Sequence, residues 1–269
     1  MSTTFSSKSN FGDIIYSLPY CIAKAKDNYE SKFNYEITTN YGAHYNTAFD
    51  FSKEGHPCGR YTMTDTVAKM LVPLLEAQSY IDTVYVTKYP QAGVKNKFNL
   101  ENFRACNLFL DKFSITRWYQ AVEPNMYPIE DYKQWLFPTE RRSEFRDNII
   151  CCRSMRYWAG FSLKELRNYA KRIVFIGVDE EYESFQEVID ASVERYEIKD
   201  FLEALNIISS CKLFFGNQTG LTSLAVALGG RVHHIIETNR LLPNVITPTG
   251  TNIFNEIALK VYLTKFFNK

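Results

Sequence analysis

The sequence predicts an α/β protein with mostly parallel sheet, divided into two lobes, and three observations support this. Across the second half, short apolar runs alternate with helical periods every ~20 to 30 residues, the pattern of right-handed strand-helix-strand crossovers. Near the middle, "VEPNMYPIEDYKQWLFPTERR" from Val122 to Arg142 holds three prolines and dense charge with no apolar period, as an interdomain linker would. The 269 residues, 45% apolar and 23% charged, suffice for one large domain or two compact ones. The expected division is 1–140 and 145–269.

The elements follow in order. Thr3 to Ser6 reads as a strand, though polar for a buried one, and Asp13 to Lys26 as an amphipathic helix with apolar Ile14, Ile15, Leu18 and Ile22. That helix carries Pro19, which costs about 3 kcal/mol in an ordinary helix interior, so something beyond propensity must hold it. A strand is expected around Tyr35 to Thr39, a helix over Thr64 to Gln78, a strand at "DTVYVTKY" and helical structure from Leu100 to Trp118. In the second half "NIICCRS", "IVFIGV", "KLFFGN" and "RVHHII" read as strands. Helices are expected at "SLKELRNYAKR", "EEYESFQEVIDA", "DFLEALNIISSC" and "TGLTSLAVALGG", with a last one over about Ile253 to Phe267.

Composition excludes several classes. Lys and Arg number 31 against 30 Asp and Glu, so no global field draws in a nucleic-acid backbone. No apolar run reaches the length of a membrane span, and "MSTTFSSKSN" lacks the apolar core of a secretory signal, so a cytoplasmic protein without a transmembrane segment is expected. The six cysteines form no CxxC pair and read as reduced, mostly buried thiols. The four histidines show no metal spacing, so no cofactor or metal is expected.

Two stretches suggest chemistry. In "CKLFFGNQTGLTSLAVALGG", from Cys211 to Gly230, a buried strand runs through Gly216, Asn217, Gln218, Thr219 and Gly220 into a helix whose first N–H groups suit an anion, with Thr219 and Thr222 adding hydroxyls. A tight turn with a threonine N-cap explains the same residues equally often. In "CCRSMRYW", Arg153 and Arg156 follow a buried strand at the sheet end where ligands bind, placed to grip a diphosphate. Solvated arginines at a helix start are the plainer alternative, although they would oppose the helix dipole.

"FGDIIYSLP" and "FFGNQTGLTSLAVAL" together resemble the two signature regions of heptosyltransferase-like glycosyltransferases. The resemblance implies an α/β, GT-B-like fold: two Rossmann-like domains facing across a cleft, with the last helix packing back on the N-terminal domain. It implies a metal-independent inverting transfer from a nucleotide-diphosphate sugar donor to a glycan or other hydroxyl acceptor. Asp13, on the family's Gly-Asp pair, would be the general base, and Gly216 to Leu224 would receive the donor diphosphate and sugar. Gln218 stands where the family has Asp and Ser223 where it has His, which puts a heptose donor in doubt. Gly177, Val178 and Glu203 are the candidates for the base and ribose side. A silent nucleotide-sugar or glycan-binding module and a GT-B-type sugar epimerase remain alternatives.

Overall fold

The computed structural model describes residues 2–42, 61–88, 97–105, 114–123, 127–155, 160–238 and 250–267. The first lobe runs β1 (Thr4–Ser7), α1 (Phe11–Asp27), β2 (Phe33–Thr38), α2 (Asp65–Glu76), β3 (Ile81–Thr87) and β4 (Lys97–Asn99). Its sheet is parallel throughout in the order β3-β2-β1-β4. Leu100 to Trp118, expected as one helical stretch, contains the 3-10 helix Leu100–Ala105, and a second 3-10 helix spans Ile115–Val122.

The second lobe runs β5 (Ile149–Cys152), β6 (Ile173–Phe175), α3 (Asp179–Ile189), β7 (Glu194–Arg195), α4 (Phe201–Ser210), β8 (Leu213–Gly216), α5 (Gly220–Ala227), β9 (His234–Glu237), β10 (Gly250–Ile253) and α6 (Glu256–Phe267). Its sheet is also parallel, in the order β10-β9-β8-β5-β6-β7. The stretch "SLKELRNYAKR" forms a 3-10 helix, Lys164–Arg172, rather than an α-helix. Side chains cap three helix starts: Thr64 accepts from Val67 N, Asp200 from Glu203 N and Thr219 from Thr222 N.

The two sheets are separate, but one apolar core joins the lobes. Ile14 and Leu18 of α1, Leu71 and Leu74 of α2, Leu205 of α4 and Leu224 of α5 are fully buried in a single cluster. A second cluster fills the far face of the second sheet, and the last helix packs into it. Leu259 and Leu263 of α6 are buried in that cluster with Leu163, Leu166 and Leu213. Phe267 packs on Tyr169, and Lys260 pairs with Glu165 at 3.4 Å. The described contacts of α6 thus lie on its own lobe, because its apolar stripe meets the sheet that β10 has just joined. Among the described residues no helix is long and apolar enough to cross a membrane.

The linker answers the question Pro19 raises. Proline has no N–H to give the carbonyl four residues back, so Ile15 O loses its helical partner inside a buried helix. The indole N–H of Trp135, itself buried, donates to that oxygen at 3.2 Å. The same tryptophan donates its backbone N–H to Ala227 O at 3.0 Å, and its carbonyl accepts from the Tyr80 hydroxyl at 2.6 Å. Further along, Thr139 N donates to Asn206 Oδ1 and Arg142 N to Ser210 Oγ. Gly229, at φ +56°, lets the end of α5 run under this strap, since a Cβ there would lie 2.3 Å from Gln134 N. The linker is therefore a packed structural member with partners in both lobes.

Trp135→Phe should cost about 1–3 kcal/mol in urea unfolding, the penalty of a buried carbonyl left unpaired. In a Pro19→Ala background residue 19 regains its N–H and Ile15 O its helical bond, so the same substitution should cost clearly less. Equal costs in the two backgrounds would show that the indole bond does not compensate the proline.

Candidate functional site

A cavity of about 440 Å³ lies between the lobes, at the carboxyl ends of β5, β6 and β8. Asn10, Phe11 and Gly12 enter it from the start of α1, and Val67 and Met70 from α2. Cys152, Ser154, Ile176 and Gly177 wall it on the second lobe, with Arg195, Tyr196, Ile198 and Phe201 along the side. Four helices begin at this space, since Phe11, Val178, Phe201 and Thr219 all line it. Helix starts carry partial positive charge. Three of them are offset by acids: Asp13 on α1, Asp179, Glu180 and Glu181 on α3, and Glu203 on α4. The first turn of α5 has none, so its N–H groups are the site best suited to an anion.

The lobes meet closely at that point. A Cβ on Gly220 would fall 2.2 Å from the Phe11 ring, and the Phe11 ring stacks on Phe201 with centroids 4.0 Å apart. The two sequence motifs are therefore in contact, glycine of one against phenylalanine of the other.

The predicted residues divide by location. Thr219, Gly220, Gly177 and Val178 line the cavity. Gly216, Asn217 and Thr222 build the turn behind it: Asn217 is fully buried and clamps Ser154, donating to its carbonyl at 2.7 Å and accepting from its N–H at 2.9 Å. Thr222 is fully buried and donates to Asn217 O, and a Cβ on Gly216 would meet Cys152 O at 2.6 Å. Gln218 is half-buried in the same turn. Arg156 lies outside the described residues.

Two predicted residues have partners away from the cavity. Arg153 does not face the cavity: it is 5% exposed, and its guanidinium grips Glu237 with two hydrogen bonds, 2.5 and 2.9 Å long. The physical reason is Glu237, wholly buried at the end of β9, whose charge is costly there without a partner. Glu203 is likewise engaged elsewhere, accepting from Arg142 Nη1 and the Tyr196 hydroxyl at 3.0 Å and from Lys199 N at 2.8 Å. It anchors the end of the linker.

The cavity also contains polar atoms that sequence reading missed. Ser154 Oγ and Arg195 Nε are buried without a hydrogen-bond partner, and both residues line the space. The rest of the Arg195 guanidinium pairs with Asp179 and donates to Gly177 O at 3.3 Å. Arg195 sits on a two-residue strand, too short for its period to be read. Ser154 directly follows Arg153, where the guanidinium drew attention away from its hydroxyl.

Beside the cavity, Asp13 is the third residue of α1, and the backbone N–H of Asn10 bonds its carboxylate. Arg104 Nη2 reaches Asp13 Oδ2 at 3.0 Å, and the Tyr119 hydroxyl donates to the Asp13 carbonyl at 2.7 Å. Burial pushes the Asp13 carboxyl above its ordinary range, the Arg104 charge pulls it back, and the nearby Glu101 charge pushes it up again.

No family model matches the sequence, and no curated protein matches it. Solved structures do share its architecture. A glycosyl transferase family 9 protein from Veillonella parvula aligns with TM-score 0.62 at 13% identity, over 100% of this chain and 89% of that one. The ADP-heptose LPS heptosyltransferase II of E. coli aligns with TM-score 0.62 at 12% identity, over 100% and 98%. The E. coli heptosyltransferase WaaC with ADP gives 0.62 at 11% identity, over 99% and 100%. The chain has the GT-B-like fold of these heptosyltransferases. Within that fold each lobe carries its own parallel sheet, and residues of both lobes line the cavity described above.

Gly220→Ala should lower stability by about 1–3 kcal/mol, the range for an added methyl in a packed site. In a Phe11→Ala background that extra cost should vanish, because the ring that meets the methyl is gone. A cost that persists there would place the constraint on Gly220 somewhere other than this contact.

Proposed function

We propose that the protein is an inverting glycosyltransferase that moves a sugar from a nucleotide-diphosphate donor to the hydroxyl of a glycan or other acceptor. The observation that carries this reading is one cavity with an acid-free helix start on one wall and, on the other, the Gly12 backbone that leads directly into Asp13. The donor diphosphate lies at the N-terminus of α5, with the Thr219 hydroxyl beside it. The acceptor approaches from the first lobe. Its oxygen attacks the anomeric carbon, the bond from that carbon to the diphosphate oxygen breaks, and the electron pair leaves with the diphosphate. Asp13 takes the acceptor proton as the new bond forms.

Support for a nucleotide-sugar donor comes from the shared fold: one of the similar structures is an ADP-heptose LPS heptosyltransferase and another holds ADP. Gly177 and Val178, at the end of β6, are proposed to face the base side, with Arg195 and Ser154 supplying the polar contacts their unpaired atoms require. We further propose that no metal is needed, that the two halves 1–140 and 145–269 act as acceptor-side and donor-side domains, and that the protein works in the cytoplasm.

A melting-temperature screen with ADP, UDP, GDP and dTDP, run with divalent metal and again in EDTA, tests the donor side. A ligand present at 100 times its Kd stabilises by about 2.7 kcal/mol, a readily measured shift. Four null results would defeat the proposed donor site, and a shift abolished by EDTA would defeat the metal-free claim.

Asp13→Asn tests the base. Transfer should fall by roughly 10² to 10⁴ with nucleotide affinity nearly unchanged. Stability should move the other way. Because the folded state raises the Asp13 pKa, the wild-type protein loses stability as pH rises through that folded pKa and the half-buried carboxyl must ionise. Asn has no such transition, so the variant should melt no lower than the wild type at neutral pH and its melting temperature should lack that pH-dependent loss. An active Asp13→Asn protein would remove Asp13 from the mechanism.

A further inference from the structure

The side chains around Asp13 form a built network that the proposed transfer does not by itself require. Glu101 is 8% exposed and accepts from the Ser7 hydroxyl at 3.1 Å, from Lys8 N at 3.2 Å and from the Ser9 hydroxyl at 2.7 and 2.9 Å. Arg104, one helical turn later, donates Nε–H to Glu101 at 2.7 Å, leaving Nη2 to reach Ser9 Oγ at 2.8 Å and Asp13 Oδ2 at 3.0 Å. The order is directional. Three donors from the β1–α1 segment and the guanidinium Nε–H hold Glu101, Glu101 holds the plane of the guanidinium, and the guanidinium holds the carboxylate.

We propose that Arg104, locked by Glu101, is the positioning residue of Asp13: it fixes the carboxylate by one oxygen beside the cleft and balances the charge buried there. This rests on the reading of Asp13 as the base. A rigid fork does this better than an ammonium, because its nitrogens are coplanar and two hydrogen bonds orient the third. The carboxylate keeps lone pairs beyond those taken by Arg104 and by Asn10 N–H, and these accept the acceptor proton. The charged and titratable groups that act on Asp13 are Arg104 and Glu101 from the 3-10 helix Leu100–Ala105, Tyr119 from the 3-10 helix Ile115–Val122, and Tyr16 on α1 itself. Burial holds both tyrosines protonated, so only Arg104 and Glu101 contribute charge.

Two charges of opposite sign give a test that a merely structural role would not pass. In full-length protein labelled with ¹³C at aspartate carboxyls, the Asp13 resonance is assigned by its loss in Asp13→Asn and titrated against pH. Arg104→Met should move the Asp13 titration upward, and Glu101→Gln, which keeps an acceptor for Arg104, should move it downward. Arg104→Lys should give a smaller upward shift than Arg104→Met, and it stands in for Arg104→Met should that variant unfold. Titrations that stay in place, or that move the same way in Arg104→Met and Glu101→Gln, overturn the proposal whatever the transfer assay shows. If the titrations diverge as expected while none of ADP, UDP, GDP and dTDP binds, the positioning of Asp13 stands and the transferase reading is what fails.

Discussion

The start of α5 lies against Phe11 with no room for a Cβ, and much of the molecule is arranged around that approach. Gly220 is the only residue type that lets the second lobe's helix come this near the first lobe's helix. The stacked pair of Phe11 and Phe201 then seals the approach from the side. Because α1 and α5 both begin here, their backbone N–H groups face one cavity rather than separate surfaces. The continuous apolar cluster through α1, α2, α4 and α5 keeps that geometry from opening.

Such an interface needs the backbone inside it to be satisfied, and Pro19 makes this harder. The proline leaves one carbonyl of α1 without its helical partner in a buried setting, and the repair comes from outside the helix, through the Trp135 indole. That single donor explains why a stretch with three prolines and many charges does not behave as a solvated tether. Its aromatic and backbone groups bond to α1, to the turn between α2 and β3, to α4 and to α5. The strap and the helix-to-helix contact thus support each other: a looser linker would leave Ile15 O unpaired, and an α1 without Pro19 would have no use for the indole.

Much of this was legible in the sequence, and the failures have physical causes. The strand-helix alternation, the Gly-Asp helix start and the turn before α5 were all readable because each rests on local periodicity or local turn chemistry. The strands β4, β7 and β10 were not, since their residues, KFN, ER and GTNI, form no apolar run to mark them. Arg153 was misread because its position at a strand end is right for a ligand, while its partner Glu237 lies 84 residues away. The partner of Glu203 was hidden for the same reason, Arg142 being 61 residues off. Sequence pattern shows where a side chain starts and says little about which distant charge it will meet.

The polar character of β1 illustrates the same point and leads back to the chemistry. A central strand of a parallel sheet is usually apolar, yet Thr4, Ser6 and Ser7 are buried here. Ser7, with Ser9 just beyond the strand, feeds hydroxyls to Glu101, which in turn holds Arg104 against Asp13. Two carboxylates and one guanidinium leave a net negative charge there, which favours proton uptake by the Asp13 carboxylate. The opposite wall has the reverse polarity, a helix start with no acid in its first turn. In the proposed transfer a proton leaves the acceptor as negative charge develops on the departing diphosphate. Proton and negative charge would thus move to opposite walls, the proton to the first lobe's carboxylate and the charge to a helix start that the fold has placed before any substrate enters.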